Sequence, residues 1–137
     1  GALAAALASM PGVRRVLYPG REDHPDRDRA RRLLAGRWGT MVTFEVAGGR
    51  AAANALVRAM PDLPFAPTLG DVGTTLSHPL SSSHRALSAG EAAALGLSEG
   101  VFRVSVGLEE PDALIAEFAA GTAAAAAAAE TAPETAT

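Results

Sequence analysis

Arg103 occupies a segment in which apolar and polar residues alternate. Residues 101–107 read VFRVSVG, and successive side chains of a β-strand point to opposite faces of its sheet. Phe102 and Val104 therefore point to one face, and Arg103 and Ser105 point to the other. A guanidinium group presents a planar fork of donors that binds a carboxylate through two hydrogen bonds. For a lone arginine, however, the pattern alone favours a simpler interpretation, an exposed strand residue in a solvent ion pair.

Hydroxyl and imidazole groups are concentrated in residues 68–86, a glycine-rich and serine-rich stretch that is predicted to be mostly loop. It contains Thr68 and Ser83, and taken alone Thr68 is typical of a loop threonine that bonds to nearby backbone. His78 and His84 are six residues apart, a spacing that matches no common zinc site, and the chain has no cysteine. We therefore predict no metal site, and we expect both histidines to make loop hydrogen bonds rather than transfer protons.

The charge composition argues against a nucleic-acid-binding protein. The chain has 15 acidic and 12 basic residues, with a net charge of -3, so it would not be drawn to a phosphate backbone as a whole. A local basic run at residues 27–32 has aspartates beside and within it. This mixture predicts a solvated helix face crossed by ion pairs.

Two residue types are missing altogether. The chain contains no cysteine and no lysine, since all 12 of its basic residues are arginines. Without cysteine it forms no disulfide and offers no thiolate nucleophile, which favours a reducing, cytoplasmic location. Residues 1–9 are apolar but lack the basic region of a signal peptide, and no run reaches the roughly 18–20 apolar residues that span a bilayer. We expect neither a signal peptide nor a membrane anchor.

The elements that position these side chains follow from hydrophobic periodicity. Alternation predicts strands near residues 13–17, 41–46 and 101–107, and a brief strand at Phe65. Spacings of three and four predict helices at residues 50–60 and 111–118, after a helix end at residues 1–9. Ser88 and Glu91 match a capping box that predicts a short helix ending at Gly96. Short connections between these elements predict an α+β fold, with a small, mainly antiparallel sheet and helices packed on one face.

Two further segments, residues 23–36 and the residues after Gly121, are predicted from helix-boundary residues and from composition. A helix is predicted to start with Pro25 in its first turn and Asp23 as its cap, and to stop at Gly36. After Gly121 the chain is alanine-rich and almost without bulky apolar residues. This composition predicts a disordered end, although the alanines could also extend a helix.

Several short motifs recur in the order found in a known enzyme family. They are TLGDVGTTLSHPLSSSH at residues 68–84 and VFRVSVGLEEPDALI from residue 101, preceded by YPG at 18–20, HP at 24–25, GTMVTFE at 39–45 and GG at 48–49. Each is weak alone, but together they cover nearly all of residues 10–120. The chain resembles the C-terminal domain of the pyridoxal-phosphate enzymes of cysteine and methionine metabolism. These are the cystathionine gamma-synthases, cystathionine lyases, methionine gamma-lyases and O-acetylhomoserine sulfhydrylases.

The resemblance implies a substrate-binding site. In the family, the arginine of the motif Arg-hydrophobic-Ser-Val-Gly binds the substrate α-carboxylate, and here that arginine is Arg103. Thr68 stands where the family usually has a serine before Leu-Gly, close to the cofactor lysine and the substrate. Ser83 stands in the place of a threonine in the loop that shapes the carboxylate pocket. The resemblance therefore implies that Arg103, Thr68 and Ser83 bind substrate and that no catalytic residue lies in this chain.

The resemblance also implies a domain organisation like that of fold-type I enzymes. Members of the family bind pyridoxal phosphate covalently through a lysine amine, and this chain has no lysine. A large N-terminal domain would therefore carry the cofactor. Residues 1–12 would end a linker helix from that domain, residues 13–121 would form the C-terminal substrate-recognition domain, and residues 122–137 a low-complexity tail. The full enzyme would be a homo-oligomer, specifically a homotetramer.

The implied activity is γ-elimination or γ-replacement on a sulfur-containing amino acid, with this chain inactive alone. Family members that process cystathionine often have an acidic residue three positions after the glycine of Leu-Gly, where this chain has Gly73. This favours methionine gamma-lyase or O-acetylhomoserine sulfhydrylase chemistry, with cystathionine gamma-lyase or synthase as an alternative. Another alternative is a non-catalytic, stand-alone domain that binds an amino acid or a protein. The family role requires an exposed apolar docking face, whereas a stand-alone domain would have a closed polar surface.

Overall fold

The computed structural model describes residues 1–131. Its elements are α1 (Ala2–Leu7), β1 (Val13–Leu17), α2 (Arg27–Leu34), β2 (Met41–Val46), α3 (Gly49–Ala59), β3 (Thr75–Ser77), a 3-10 turn (Pro79–Ser81), α4 (Ala89–Ala94), β4 (Val101–Ser105) and α5 (Pro111–Thr131). The four strands form one sheet in the order β1-β2-β4-β3, and every neighbouring pair is antiparallel. The predicted α+β fold with a small antiparallel sheet is confirmed.

Alternating side chains of β2 and β4 form the centre of the core. Phe44 and Phe102 are directly opposite each other across the two strands, and their rings stack with centroids 5.5 Å apart. Phe118 of α5 meets Phe44 edge-on at 5.8 Å. Each fully buried ring of this kind stabilises the fold by roughly 1.5–3 kcal/mol through the apolar area that it removes from water. The strand predictions for residues 41–46 and 101–107 are therefore confirmed, although β4 ends at Ser105.

Three helices cover this apolar face of the sheet. α3 and α5 make the most extensive contact in the fold, and α1 packs against α5 and β1. Leu56 of α3 and Leu7 of α1 are fully buried. The opposite face of the sheet carries the polar side chains of the strands.

The strand β3 was not predicted, because residues 68–86 read as loop. It has only three residues, Thr75–Ser77, which is too short for an alternation to be recognised. Its three residues pair with Arg103, Val104 and Ser105 of β4. The predicted strand at Phe65 was wrong, since Phe65 forms only an isolated bridge with Leu76.

Helix α2 begins later than predicted. Pro25 and Asp23 precede it, and the N-cap is Asp26, which makes no side-chain capping bond. Asp23 is instead held by Arg21 through two contacts of 2.9 and 2.7 Å, so it was not available as a cap. The helix ends at Ala35, and Gly36 adopts φ +78°. Among its residues none is buried, and Leu33 is 71 % exposed.

Helix α4 begins as its capping box predicts. The Ser88 hydroxyl accepts the Glu91 backbone N–H at 3.3 Å, and the Glu91 carboxylate accepts the Ser88 N–H at 2.8 Å. The chain leaves the helix at Leu95 and Gly96, where φ is +68°. This local prediction is confirmed.

Helix α5 continues well beyond Gly121, so the alanines extend a helix. Thr122 and Ala125 are fully buried, and a Cβ added to Gly48 would lie 2.5 Å from the Cβ of Ala129. Small residues on both sides thus allow a close approach. Packing of the core crosses the boundary predicted at residue 121, and the rest of the predicted tail, residues 132–137, lies outside the described residues.

By length and composition alone, α5 would be able to span a bilayer, with a mean hydropathy of 1.3 in its most apolar window. The expectation that no segment passes this test was therefore wrong. A core helix passes the same test, and Leu114 and Phe118 are buried in the hydrophobic core. Within the described residues the contacts of α5 are those of a core helix.

Candidate functional site

Arg103 lies at the centre of the polar face of the sheet. Its cross-strand partners are Thr43 on β2 and Ser77 on β3, and the flanking Phe102 and Val104 are fully buried on the other side. The side chain is half-buried, and its Nε is shielded from solvent without a hydrogen-bond partner within residues 1–131. A buried donor left in this state costs about 1–3 kcal/mol. An acceptor bound at this place would remove that cost.

A solvent ion pair is not what the structure shows for Arg103. Within the described residues no carboxylate lies within 4 Å of its guanidinium. Arg15 provides a contrast, because it forms an ion pair with Glu45 at 3.1 Å on the same sheet face. The interpretation of Arg103 as an ion-paired surface arginine is therefore wrong for this part of the chain.

Thr68 begins a segment that is hydrogen-bonded to Thr75 and Ser105, on the polar face of the sheet that also carries Arg103. The Thr75 hydroxyl donates to the Thr68 carbonyl oxygen at 3.3 Å, and the Gly70 N–H donates to Ser105 Oγ at 2.9 Å. Thr75 and Ser105 are a cross-strand pair, and Ser105 lies two residues after Arg103 on the same face. Thr68 itself is exposed, and its hydroxyl makes no hydrogen bond within residues 1–131. Thr68 and Arg103 thus share one face, with the Thr68 hydroxyl available to a ligand.

Ser83 lies at the rim of a neighbouring concavity of about 550 Å³. Its lining residues are Pro67, Ser81, Ser82, Ser83, Arg85 and Ala86. Pro67 directly precedes Thr68, so this concavity adjoins the segment that begins at Thr68. Ser83 is exposed and contacts His84 Nδ1 at 2.7 Å, and no hydrogen bond joins it to Arg103 in the described part of the chain. The structure therefore places Ser83 near Thr68 but does not bring it into contact with Arg103.

His78 has a structural role. It is 3 % exposed, and its ring meets Phe102 edge-on at 5.1 Å. Nδ1 accepts the Ser81 N–H at 3.1 Å, so Nε2 carries the proton and donates to the Glu99 carbonyl oxygen at 2.9 Å. The prediction that His78 makes loop hydrogen bonds is confirmed. Among the described residues no group of three histidine, aspartate or glutamate side chains converges as a metal ion would require.

A network around Thr74 was missed by sequence reasoning. Thr74 is fully buried. Glu109 accepts its backbone N–H through Oε1 and its hydroxyl through Oε2, both at 2.6 Å, and Gly107 donates its N–H to Thr74 Oγ1 at 2.8 Å. The hydrogen bonds from the Thr74 side chain, and then from its backbone, lower the pKa of Glu109 below its usual range. The sequence does show an acidic residue, Glu109, shortly after the strand of Arg103. Its partner Thr74 is 35 residues away, and no local pattern indicates that the two residues are in contact.

An exposed apolar group lies beside this network. Leu69, Val72 and Leu108 are 66 %, 73 % and 83 % exposed, and the Leu108 N–H donates to the Val72 carbonyl oxygen at 2.8 Å. We refer to these three residues as the apolar edge. The backbone contact brings Val72 and Leu108 together, and a contiguous patch of large exposed apolar side chains is typical of a docking surface.

Comparison with known proteins assigns the chain to a family. Residues 1–123 match the family described as Cys/Met metabolism PLP-dependent enzyme. The chain is 42 % identical over 123 residues to the O-succinylhomoserine sulfhydrylase of Pseudomonas aeruginosa, covering 90 % of this chain and 30 % of that protein. It is 36 % identical over 115 residues to the L-methionine gamma-lyase of Fusobacterium nucleatum, covering 84 % of this chain and 29 % of that one.

A solved structure has the same fold. The cystathionine gamma-synthase of Xanthomonas oryzae, determined in complex with cystathionine, superposes with a TM-score of 0.79 at 35 % identity. The match covers 93 % of this chain and 33 % of the synthase chain. This chain therefore spans about a third of the length of its relatives.

Pyridoxal phosphate is the cofactor of the family. The residues of this chain do not fit a covalent attachment to it, because the sequence has no lysine and the covalent link needs a side-chain amine. Within residues 1–131, the arginine on the polar face of the sheet, Arg103, has a buried Nε without a hydrogen-bond partner. The chain belongs to the family of Cys/Met metabolism PLP-dependent enzymes.

Proposed function

We propose that this chain is the substrate-recognition part of a pyridoxal-phosphate enzyme that acts on sulfur-containing amino acids by elimination or replacement at the γ carbon. The observation that carries the proposal is the buried Nε of Arg103 on the polar face of the sheet, which has no hydrogen-bond partner among residues 1–131. Family membership supports it, because the relatives are named as sulfhydrylases, gamma-lyases and gamma-synthases. The cofactor lysine lies in a large domain outside this chain.

In this proposal Arg103 binds the substrate α-carboxylate. The guanidinium fork makes two charge-assisted hydrogen bonds, which fix the direction of the amino acid as well as holding it. The exposed hydroxyl of Thr68 lies on the same side of the sheet and contacts the bound amino acid, while Ser83 shapes the neighbouring rim. The role of this chain is to bind and orient the amino acid, and the covalent steps belong to the domain with the lysine. The isolated chain is therefore inactive.

The apolar edge is the part of this surface that would contact the large domain. Contact with that domain would remove the apolar surface of Leu69 and Leu108 from water. Burial of apolar surface stabilises such a contact by about 25 cal/mol per Å². A domain that functions alone would not be expected to expose Leu108 to the extent of 83 %. This observation favours the enzyme over a stand-alone binding domain. We also propose a cytoplasmic, homo-oligomeric enzyme, on the basis of the cysteine-free sequence and the family.

The specific reaction is proposed from the relatives and from Gly73. The sulfhydrylase and methionine gamma-lyase relatives and the absence of an acidic side chain at position 73 support a sulfhydrylase or methionine gamma-lyase. The similarity to a synthase solved with cystathionine supports the second candidate, a cystathionine gamma-synthase or gamma-lyase.

A hybrid enzyme tests the proposal. In it, this chain replaces the 123 residues that it matches in the Pseudomonas aeruginosa O-succinylhomoserine sulfhydrylase, whose remainder supplies the cofactor. We expect the hybrid to be active on an acyl-homoserine or another sulfur amino acid precursor. A folded hybrid that contains the cofactor but turns over none of these substrates would contradict the proposal.

The decisive variant of the hybrid is Arg103→Lys. An ammonium keeps the charge but replaces a two-point contact by a point charge, and losing charge-assisted hydrogen bonds of about 1.5–3 kcal/mol lowers kcat/KM roughly ten- to a hundredfold. The loss should be similar for methionine, homocysteine and cystathionine, because the carboxylate is common to all three. Arg14→Lys, at an exposed position of β1, is the matched control. An unchanged kcat/KM, or a loss confined to one substrate, would show that Arg103 does not hold the carboxylate.

A further inference from the structure

The segment 68–74, which contacts the polar sheet face at Thr75 and Ser105, is attached at both ends. At its first end, Thr68 and Gly70 are bonded to Thr75 and Ser105 at 3.3 and 2.9 Å. Between the ends, residues 69–72 are exposed, and Gly70 has φ +77°. The whole segment 68–74 contains two glycines, Gly70 and Gly73, and glycine loses more conformational freedom on ordering than other residues. The attachments decide where Thr68 lies.

The attachment at the second end depends on one exposed carboxylate. Both oxygens of Glu109 accept hydrogen bonds from Thr74, at 2.6 Å each. Thr74 Oγ1 also accepts the Gly107 N–H at 2.8 Å, and the Leu108 N–H donates to the Val72 carbonyl oxygen at 2.8 Å. Without Glu109, the buried Thr74 N–H and hydroxyl would both lose their acceptor, which is unfavourable for buried polar groups.

We propose that Glu109 is a positioning residue of the substrate site: by holding Thr74, it fixes the segment 68–74 over the sheet face on which Arg103 lies. Glu109 does not touch the substrate in this arrangement. It acts through Thr74 and the segment on the position of Thr68 relative to Arg103. The inference rests on the proposed function, since it takes the space above Arg103 to be the place where the amino acid binds.

The two hydrogen bonds from Thr74 to Glu109 determine how much of the attachment a conservative variant of Glu109 should retain. In Glu109→Gln, the side-chain oxygen still accepts one Thr74 donor, but the amide nitrogen does not accept the other. The glutamine variant should therefore hold the segment partly, and Glu109→Ala should not hold it. Glu110→Gln removes the same charge from the adjacent residue, which is exposed and whose side chain makes no hydrogen bond or ion pair in the described residues. It is the matched control.

The first measurement is amide hydrogen exchange on the full 137-residue chain. Exchange of the Gly70 and Thr74 amides should accelerate about tenfold or more in Glu109→Ala, because each order of magnitude corresponds to about 1.4 kcal/mol of lost local stability. It should accelerate less in Glu109→Gln and stay unchanged in Glu110→Gln. The amides of Phe44 and Phe102 in the central strands should keep their protection, which shows that the variants remain folded. Unchanged exchange at Gly70 in Glu109→Ala would overturn the proposal.

The second measurement is steady-state kinetics of the hybrid enzyme. Because Glu109 affects the position of the binding segment and not the reacting atoms, we expect KM to rise about tenfold with kcat changed less than about twofold, and Glu109→Gln to recover part of the loss. Faster exchange at Gly70 without any change in KM would overturn the positioning role. The proposed function is tested separately by Arg103→Lys, whose effect on kcat/KM does not depend on Glu109. The experiments therefore distinguish a failure of the positioning role from a failure of the proposed function.

Discussion

Ser105 accepts the backbone N–H of Gly70 through its hydroxyl, at 2.9 Å, although 35 residues separate them. Ser105 is 1 % exposed and lies two positions after Arg103 on the same face of β4. The serine of the strand thus holds the backbone of the segment 68–74, and the arginine of the same strand has no hydrogen-bond partner at Nε in the described part of the chain. One strand therefore provides both the proposed ligand contact and an attachment point for the segment 68–74.

Ser105→Ala should release the Gly70 end of the segment. The variant removes a buried acceptor, so we expect a loss of about 1 kcal/mol in the free energy of unfolding and faster exchange of the Gly70 amide. Denaturant unfolding and hydrogen exchange measure the two effects. Ser77→Ala is the control, since Ser77 lies on the same face but donates to the Arg103 carbonyl oxygen at a longer 3.3 Å. Equal acceleration at Gly70 in both variants would contradict the assigned role of Ser105.

Gly107→Ala should disturb the second end of the segment. A Cβ at position 107 would lie 2.6 Å from the Thr74 nitrogen and from the Gly73 carbonyl carbon, which is closer than packed atoms approach. Since backbone must move to make room, we expect a loss of roughly 1–3 kcal/mol of stability. Gly90→Ala in α4 is a control of opposite sign, because nothing lies within 4 Å of its Cβ position and alanine favours a helix by roughly 0.5–1 kcal/mol over glycine. A neutral Gly107→Ala would show that the segment is not closely packed there.

Acid should weaken the attachment made by Glu109. Hydrogen bonds from Thr74 lower the folded-state pKa of this carboxylate, so its contribution is fully present above the unfolded-state pKa of about 4.3 and is lost as the pH falls through the lowered folded value. The neighbouring acids are Glu117, whose pKa is raised by burial and then by the charges of Asp62 and Glu109, and Asp62 itself.

The pH prediction is measured in a Glu117→Gln background, which removes the acid with the raised pKa. The free energy of unfolding should decrease between about pH 5 and pH 3 more steeply with Glu109 than with Glu109→Gln. Parallel curves for the two proteins across this range would mean that Glu109 makes no pH-dependent contribution.

The isolated chain should not bind pyridoxal phosphate covalently through a side chain. It has no lysine, and its other nucleophilic side chains do not form a stable imine with an aldehyde. After incubation with the cofactor and reduction with borohydride, mass mapping should find label at most on the terminal amine of Gly1. Label on any side chain, or turnover of methionine above that of buffer, would refute the assignment of the cofactor chemistry to another domain.

Local patterns in the sequence were sufficient for the elements around Arg103. The alternation of residues 41–46 and 101–107 identified both central strands, although β4 ends at Ser105, and it placed Arg103 and Phe102 on opposite faces of the sheet. The capping box of Ser88 and Glu91 located α4 in the same way. These predictions succeeded because the period of a strand and the cap of a helix are properties of a few consecutive residues.

The family motifs predicted more about this protein than hydrophobic periodicity did. They assigned the fold and the family, both of which the comparisons confirmed. They also assigned roles to Arg103, Thr68 and Ser83. The structure brings Arg103 and Thr68 to one face of the sheet, but the substrate-binding roles themselves stay predictions until the kinetics are measured.

Only the tertiary structure decided the long-range attachments and the packing of weakly patterned segments. The pairs Ser105–Gly70 and Glu109–Thr74 each join residues 35 positions apart, and β3 exists because Thr75–Ser77 finds β4 beside it. Ala126 and Ala129 of α5 likewise pack closely against Gly12 and Gly48 because these glycines have no side chain. In each case the stabilising contact depends on which surfaces meet after the chain has folded, and a residue's neighbours along the chain do not contain that information.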